Sequence, residues 1–447
     1  MSQIFSQKKD QFKTPKAFES IGEDIYSWAE DLFPICRSIS GEGVRETLRY
    51  FQRIVPDLKI EETKSGTQVF DWTVPDEWNI YDAWIKNSKG EKIIDFKHSN
   101  LHVVSYSEPI HKKMRLKELD KFLYSLPDQP DAIPYITSYY ERRWGFCLTH
   151  DQRKNLEDDE YEVYINSTLE PGVLNYGEIL IKGESSEEVL ISSNICHPSM
   201  GNNELSGPTV VTAIASWLLS QENLKYSYRI LYIPETIGAI IYLSKHLDYL
   251  KKHVIAGFNV YAVGDERNYS FISTPDEDTY ADRIINHVYK HHTENNYIKY
   301  PFTERGSDER QYCAPGVDLP VVGVCRSKSG LYSEYHTSLD DLSVISPNGL
   351  QGGFDIVKKA IQVLENNRVL KVNVFGEPQM GRRGLYPNVS TKDSVKITRS
   401  LMNLIAYSNS KRSMLDIAEK TNCYIGDFYP FLNKLIETGI LSEIRER

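Results

Sequence analysis

The sequence lacks the features that mark several large classes of protein. Its six cysteines include no Cys-x-x-Cys pair and no disulfide-like spacing, which indicates free thiols in a reducing compartment. The first twenty residues contain no apolar segment of the kind found in a secretory signal. The longest apolar stretches, such as 210–219, are too short to span a bilayer. We therefore expect a cytoplasmic protein without a membrane partner.

The chain also lacks an excess of positive charge. Its 447 residues include 52 Lys and Arg and 62 Asp and Glu, which gives a net charge of −10. This balance argues against a protein that coats nucleic acid or anionic membranes through bulk charge. The composition, with 40% hydrophobic and 26% charged residues, is that of an ordinary folded protein, and the length predicts more than one domain.

Strand and helix patterns alternate in the middle of the chain. Apolar β-prone runs are separated by segments of helical periodicity, and the runs lie at 189–195, 229–234, 254–263 and 319–325. This alternation predicts an α/β fold in which helices flank a mostly parallel mixed sheet. We interpret 161–168 and 176–182 as a hairpin and place the first position of the following helix at Pro208. Residues 15–70 and 160–370 are assigned to one discontinuous α/β domain.

Residues 71–159 have a different sequence pattern and are predicted to form an inserted β-rich domain. Short β-prone runs and turn signals fill this region. It contains four of the six tryptophans, which are Trp72, Trp78, Trp84 and Trp144. These tryptophans either fill a small core or form a lid or stacking surface for a sugar or peptide.

Residues 376–447 are predicted to be a winged helix-turn-helix domain that begins with an irregular linker at 376–387. Three helical patterns and a terminal strand indicate this fold, and the region has eleven Lys and Arg against eight Asp and Glu. The candidate recognition helix, 424–438, offers only Asn433 and Lys434 to base edges. We therefore expect docking to protein, within the chain or in a homo-oligomer, in preference to DNA binding.

Chemically reactive residues follow the predicted strands. The carboxyl ends of parallel strands meet at one edge of a sheet, where ligands bind in open α/β folds. The residues near these ends include two histidines and several carboxylates, namely His197, Glu235, Asp265, Asp308 and His336. Together they supply the donor groups of a metal site with nitrogen and oxygen ligands.

The order of these motifs resembles that of the zinc aminopeptidase superfamily, which also includes glutaminyl-cyclase-like members. The chain offers, in order, His197-Pro198-Ser199, Asn203-Glu204-Leu205-Ser206-Gly207, Glu235-Thr236-Ile237-Gly238, Asp265, Ser307-Asp308-Glu309 and His336-Thr337-Ser338-Leu339-Asp340. The whole layout is most similar to a bacterial aminopeptidase-like family with an inserted β domain and a C-terminal winged helix. Members of that family often occur near polysaccharide-biosynthesis genes.

The resemblance implies roles for particular residues. His197, Asp265 and His336 would bind metal, Glu235 would be the general base, and Asp308 would be a second catalytic carboxylate. With Asp340, Asp308 would orient the metal-binding histidines.

Three positions depart from the superfamily pattern. Asn203 replaces the aspartate that bridges two zinc ions, Thr236 replaces a ligand glutamate, and Ser199 replaces an orienting aspartate. Two divalent ions would bring four positive charges against two ligand carboxylates, which is costly in a partly dry cleft. We therefore predict one zinc ion. Glu204 could supply a further carboxylate by a shift of one residue.

The leading functional hypothesis is a metal-dependent amide hydrolase of aminopeptidase type. Its substrate would be a small peptide or an amide-bearing sugar intermediate. Two alternatives remain open. One is a catalytically silent binding protein that has lost metal ligands, and the other is a transcription regulator whose α/β domain senses a ligand.

Overall fold

Residues 18–383 and 392–444 are described by the computed structural model of the chain, without the side chains of 392–397. The predictions for residues 1–17 and for the end of the linker, 384–387, lie outside the described residues. Two compact units are present. One contains the described residues up to Ala281 together with Ile298–Asp355, and the other contains Asp282–Tyr297 and the described residues from Ile356. No helix in the described ranges is long and apolar enough to cross a membrane.

The described residues form twelve α-helices. In chain order they are α1 (Gly22–Leu32), α2 (Glu42–Ile54), α3 (Leu116–Leu119), α4 (His150–Lys154), α5 (Ser206–Leu219), α6 (Ile237–His253), α7 (Tyr280–His292), α8 (Glu309–Tyr312), α9 (Pro347–Asn366), α10 (Lys392–Tyr407), α11 (Met414–Thr421) and α12 (Tyr429–Glu437).

The β-strands of the described residues are distributed over five sheets. In chain order the strands are β1 (Lys59–Lys64), β2 (Gln68–Val69), β3 (Trp72–Thr73), β4 (Glu77–Lys86), β5 (Lys92–Asp95), β6 (Ile110–Arg115), β7 (Leu123–Tyr124), β8 (Phe146–Cys147), β9 (Glu160–Glu170), β10 (Val173–Ile181), β11 (Glu188–Asn194), β12 (Ser227–Ile233), β13 (Val254–Val260), β14 (Ser270–Ile272), β15 (Ile298–Tyr300), β16 (Val321–Cys325), β17 (Val369–Val372), β18 (Asn409–Ser413) and β19 (Leu441–Glu443).

The largest sheet has eight strands in the order β1-β10-β12-β11-β13-β16-β14-β15. Its four central strands, β12, β11, β13 and β16, run parallel, and antiparallel pairs adjoin them on both sides. Every residue of β11, β12 and β16 is buried, as expected for strands covered on both faces. The predicted mostly parallel mixed sheet flanked by helices is therefore confirmed.

The carboxyl end of β11 lies at a switch point in the strand order. After β11 the chain forms β12 on one side of it and then β13 on its other side. The loops that follow these strands diverge and leave a crevice between them, which is where open α/β sheets bind ligands. The topology therefore places the segments after β11 and β12 around one crevice.

A separate antiparallel sheet, in the order β5-β4-β9-β6, is built largely from the inserted region. The predicted hairpin of 161–168 with 176–182 is wrong, because β9 pairs with β4 and β6 whereas β10 pairs with β1 and β12. Along β9, buried residues alternate with more exposed ones, so one face packs on a core. This sheet extends to Glu170. The predicted domain boundaries stay predictions.

The helix after β11 begins earlier than its sequence indicates. A π-helical turn, Gly201–Leu205, runs directly into α5. Pro208 is therefore the third residue of α5 and not the first helical position, as was predicted. A π turn accommodates one extra residue in a helix and occurs often at functional sites.

The C-terminal part of the chain contains α10, α11 and α12 with a three-stranded antiparallel sheet, β18-β17-β19. Ser413 caps α11 through a reciprocal capping box with Asp416, which explains where that helix begins. Three helices with a small antiparallel sheet are the predicted winged helix-turn-helix.

Candidate active site

One cavity lies at the carboxyl ends of β11 and β12. Its volume is about 660 Å³, and its wall includes three of the predicted site residues, His197, Glu235 and His336. His197 follows β11 and Glu235 follows β12, so the switch point of the sheet brings them together. The other predicted site residues are buried and do not line the cavity, namely Asn203, Glu204, Asp265 and Asp308.

A buried carboxylate holds the imidazole of His197. Nδ1 of His197 lies 2.6 Å from Oε2 of Glu204. Although burial lowers the pKa of His197, Cys196 and Glu204 raise it well above its ordinary value. Because Nδ1 is engaged by Glu204, Nε2 is the ring nitrogen left for another partner. Carboxylates in this position fix the tautomer and orientation of metal-binding imidazoles.

A buried arginine adjoins this pair. Nε of Arg37 donates to the carbonyl oxygen of His197 at 3.0 Å, and Nη1 donates to the carbonyl oxygen of Leu32 at 2.8 Å. Burial lowers the pKa of Arg37, and the carboxylate of Glu204 opposes that shift. Arg37 therefore supplies a fixed positive charge that balances Glu204 in the interior.

The π turn decides which residue reaches His197. Asp340 accepts hydrogen bonds from the backbone N–H groups of Asn202 and Asn203, at 2.8 and 2.9 Å, and so holds the start of the turn. Glu204, one residue beyond the superfamily position, is the residue that contacts His197. That Glu204 supplies a further metal-binding carboxylate through this shift stays a prediction. Asp340 positions this turn, whereas the sequence predicted that it orients a histidine.

The structure does not bring Asp265 into this group. Oδ1 of Asp265 accepts hydrogen bonds from the backbone N–H of Arg267 and the hydroxyl of Ser327, both at 2.9 Å. Oδ2 accepts from the side-chain amide of Asn202 at 2.9 Å and from the backbone N–H of Ser327 at 3.1 Å. Four donors surround the carboxylate and occupy its lone pairs. This geometry departs from the prediction that Asp265 is a metal ligand.

Two buried carboxylates, Glu235 and Asp308, interact near the end of β12. Burial raises the pKa of Glu235, although His197 and Arg310 oppose the shift. Burial and the nearby Glu235 raise the pKa of Asp308 well above its ordinary value. Oδ1 of Asp308 accepts the backbone N–H of Thr236 at 2.7 Å, and its Oδ2 has no hydrogen-bond partner among the described residues. These groups are therefore suited to hold a proton closer to neutral pH than ordinary carboxyls.

Strained backbone conformations occur at two residues that line the cavity, Thr236 and His336, and at Ser199, two residues after His197. Thr236 has φ 66° and ψ −74°, a conformation that is unusual for a β-branched residue. His336 and Ser199 also have positive φ values, 56° and 41°. Strain of this kind costs about 1–3 kcal/mol per residue and persists mainly where function requires a particular geometry.

The inserted region completes the cavity. The ring of Tyr135 packs edge-on against His197 and His336, with centroid distances of 5.0 and 5.3 Å. The backbone N–H of Tyr135 donates to the carbonyl oxygen of His336 at 2.9 Å. The two histidine rings lie 5.2 Å apart. Burial and the neighbouring His197 lower the pKa of His336 to about 3, which keeps its imidazole neutral.

Cys196 also contacts His197. Its Sγ lies 3.7 Å from Nδ1 of His197 and accepts the backbone N–H of Glu235 at 3.2 Å. Burial raises the pKa of Cys196 to about 12, so the thiol stays protonated. Cys196 and Glu204 contact the same ring nitrogen, whereas a nucleophilic triad uses both nitrogens of its histidine. These residues therefore do not form such a triad.

The donor groups fit one zinc ion in kind. Across the described ranges, one group of three or more His, Cys, Asp or Glu residues has ligand atoms that all lie within 4.8 Å of one another, and it comprises Cys196, His197 and Glu204. His336 adds a neutral imidazole near this group, and Oε1 of Glu204 is buried without a hydrogen-bond partner among the described residues. Imidazoles with a carboxylate are the donor set of many catalytic zinc sites. The carboxylate of Asp265 accepts four hydrogen bonds and is not part of this group.

Several residues of the site were missed in the sequence. They are Arg37, Tyr135, Tyr139, Cys196 and Arg310. Cys196 is adjacent to His197 in the chain, and this adjacency was a usable signal. The others come from distant segments, and no local pattern indicates that they reach the cavity.

The fold and the cavity define an aminopeptidase-like α/β protein with an inserted β-sheet and a C-terminal winged helix. The chain belongs to the family described as "Domain of unknown function (DUF4910)", whose model matches residues 26–367. A model described as "winged helix-turn-helix" matches residues 367–443.

Two relatives from Clostridium acetobutylicum resemble nearly the whole chain. One is named "Putative polysaccharide biosynthesis protein with aminopeptidase-like domain" and is 46% identical over 402 residues, which are 90% of this chain and 92% of the relative. A crystal structure described as a "putative peptidase" is 43% identical, covers 96% of this chain and 97% of its own, and has a TM-score of 0.90.

A more distant solved structure shares the fold. The zinc aminopeptidase from Bacillus subtilis is 13% identical, with a TM-score of 0.57 over 79% of this chain and 96% of its own. At this identity the similarity shows the fold alone. The predicted resemblance to the zinc aminopeptidases is confirmed at that level.

Proposed function

We propose that the chain is a hydrolase of peptidase type that cleaves an amide bond with the help of one zinc ion. The substrate would be a small peptide or an amide-bearing sugar. The observation that carries the proposal is that His197, Glu235 and His336 line one cavity of about 660 Å³ at the switch point of the sheet. The peptidase-type name of a relative and the aminopeptidase fold support it.

Zinc would be held by His197 and His336, which both line the cavity. Glu204 engages Nδ1 of His197, which leaves Nε2 as the metal-binding nitrogen. The low pKa of His336 keeps a lone pair available on its imidazole. Glu204 lies on the opposite side of the His197 ring from Nε2, and Glu235 serves as the base, so water would fill the remaining coordination positions. When bound, zinc lowers the pKa of a water molecule towards about 7 and polarises the amide carbonyl.

Glu235 is the proposed general base. It lines the cavity, and burial raises its pKa, so it can accept a proton from water and donate it to the leaving amine. Asp308 acts on Glu235 indirectly. It accepts the backbone N–H of Thr236, the next residue, and so holds that strained backbone. Asp308 is therefore a positioning residue.

A catalytically silent binding protein is the second candidate. Two observations favour it. Asp265 has no lone pair left for a metal, and Thr236 offers a hydroxyl where the superfamily has a ligand carboxylate. The same cavity would then bind its ligand without hydrolysing it.

We propose that the winged helix docks to protein and does not read DNA. On α12, Leu432 and Leu435 are buried, and the exposed Lys434 lies 3.8 Å from Glu437. Only Asn433 remains on this helix as an exposed polar group of the kind that contacts base edges. Segment 282–297 of the same unit already engages the domain, since Arg283 forms an ion pair with Asp416 at 2.6 Å.

The hydrolase proposal is tested by the variant Glu235→Gln. Wild-type protein purified without chelator should contain about one zinc ion per chain and release amine from members of a panel of aminoacyl anilides and N-acyl amino sugars. Loss of the general base should lower kcat by roughly 10²- to 10⁴-fold without changing zinc content.

Glu266→Gln is the matched control, because Glu266 is exposed and does not line the cavity. Protein without zinc, or a Glu235→Gln variant that is as active as wild type, would contradict the proposal. Zinc-loaded protein that turns over no member of the panel would favour the silent binding protein.

A further inference from the structure

The cavity contains an arginine that forms no close ion pair with the described residues. Arg310, on α8, is the one Lys or Arg among the residues that line the cavity. Within the described part of the chain, no carboxylate oxygen lies within 4.0 Å of its guanidinium, and the group is half-buried. A guanidinium at a cavity wall with no carboxylate in direct contact can bind a ligand that carries a negative charge.

The guanidinium of Arg310 is held in place before any ligand arrives. Nη2 donates to the hydroxyl of Thr236, whose strained backbone is fixed in turn by Asp308. Nε has no hydrogen-bond partner among the described residues. A fixed planar guanidinium matches a carboxylate better than a flexible lysine does, because it presents paired donors in one plane.

A second feature of the same cavity is an exposed aromatic pair. Trp72 and Tyr140 both line the cavity, and their rings meet edge to face at 5.5 Å. Their exposed fractions are 37% and 55%, which is high for large aromatic residues. By contrast, Trp78 of the same region is buried in the core. Exposed aromatic side chains at a cavity commonly contact the faces of ligand rings.

We propose that Arg310 binds a carboxylate of the substrate, while Trp72 and Tyr140 contact a ring of the same molecule. The inference rests on the proposed function of the cavity and names the class of substrate, an acid with a ring near the scissile amide. Such a carboxylate could be the C-terminus of a short peptide with an aromatic residue, or it could belong to an acidic sugar.

The test measures binding and not turnover, so it does not depend on the outcome for Glu235→Gln. The full chain is titrated calorimetrically with two pairs of probes. One pair is N-acetyl-phenylalanine and its carboxamide, and the other is glucuronic acid and glucuronamide. The variants are Arg310→Gln, Arg310→Lys and Trp72→Ala. Arg305→Gln is the control, since Arg305 is exposed and does not line the cavity.

Wild-type protein should bind at least one acid roughly 10- to 100-fold more tightly than its amide, as expected for a charge-assisted hydrogen bond. Arg310→Gln should abolish this preference, Arg310→Lys should retain part of it, and Arg305→Gln should leave it unchanged. Trp72→Ala should weaken the acid and the amide equally. This pattern separates a ligand contact from an effect of Arg310 on Glu235, because the latter would not discriminate between the probes.

The two pairs of probes distinguish the sources of the carboxylate. A preference confined to the peptide acid identifies a peptide substrate, and a preference confined to the sugar acid identifies an acidic sugar. Equal binding of acid and amide by wild-type protein, no binding of either acid, or a preference that survives in Arg310→Gln would overturn the proposal.

Discussion

The hydrogen bond between Glu204 and His197 is the contact on which the geometry of the site most depends. We predict that Glu204→Gln weakens both zinc binding and the stability of the zinc-free protein. The bond is 2.6 Å long, and its two side chains are buried. A hydrogen bond to a charged group contributes about 1.5–3 kcal/mol, and the variant also removes the charge that balances the buried Arg37. The free energy of unfolding should therefore fall by about 1.5–3 kcal/mol.

Zinc affinity should fall roughly 10- to 100-fold, which is the usual consequence of losing a carboxylate that orients a metal-binding histidine. Urea denaturation of the zinc-free protein measures the first quantity, and competition with a chelating dye measures the second. Glu266→Gln should change the free energy of unfolding by less than about 0.5 kcal/mol, as exposed substitutions usually do. If Glu204→Gln matched that control in both assays, the orienting role of Glu204 would be refuted.

Two further predictions concern Asp340 and the winged helix. Burial raises the pKa of Asp340 from its ordinary 3.8 to about 6, so the folded state favours its protonated form. That stabilisation is present below pH 4 and is lost as the pH rises through 6. Relative to Asp340→Asn, wild-type protein should therefore lose roughly 2.5 kcal/mol of unfolding free energy between pH 4 and pH 7. Equal pH profiles of the two proteins would contradict this. For the winged helix, a gel shift with random duplex DNA at low salt should show no tight binding, and tight binding that weakens with salt would favour DNA recognition.

Much of the fold could be predicted because local patterns encode it. The buried strands β11, β12 and β16 are continuous apolar runs, and the helices between them carry helical periodicity. The pairing of β9 could not be predicted. Only two residues separate it from β10, yet its partner β4 lies far away in the chain. Strand pairing depends on which distant segments can bury a common face, and a single sequence does not show this.

The candidate site could likewise be predicted from the sequence only in part. The positions of His197, Glu235 and His336 follow from motif order and strand ends, and all three line the cavity. Sequence reasoning placed Asp265 in the metal site and kept Glu204 as an alternative. In the structure, Glu204 contacts His197, whereas Asp265 is hydrogen-bonded elsewhere. A π turn brings Glu204 to His197, while the amide of Asn202 and three other donors fill the lone pairs of Asp265. A difference of one residue in helical register has no signature in composition or periodicity.

By itself, the sequence determined the α/β architecture, the winged helix and three of the side chains that line the cavity. These depend on burial patterns and on residue types at strand ends, both of which are local. Only the tertiary structure decided which carboxylate supports His197, that Tyr135 packs on both histidines, and that Arg310 lines the cavity. Each of these depends on distances between segments far apart in the chain. The strength of a hydrogen bond or an ion pair changes when the distance between its atoms changes by a few tenths of an ångström. Only the packed structure fixes atomic positions that closely.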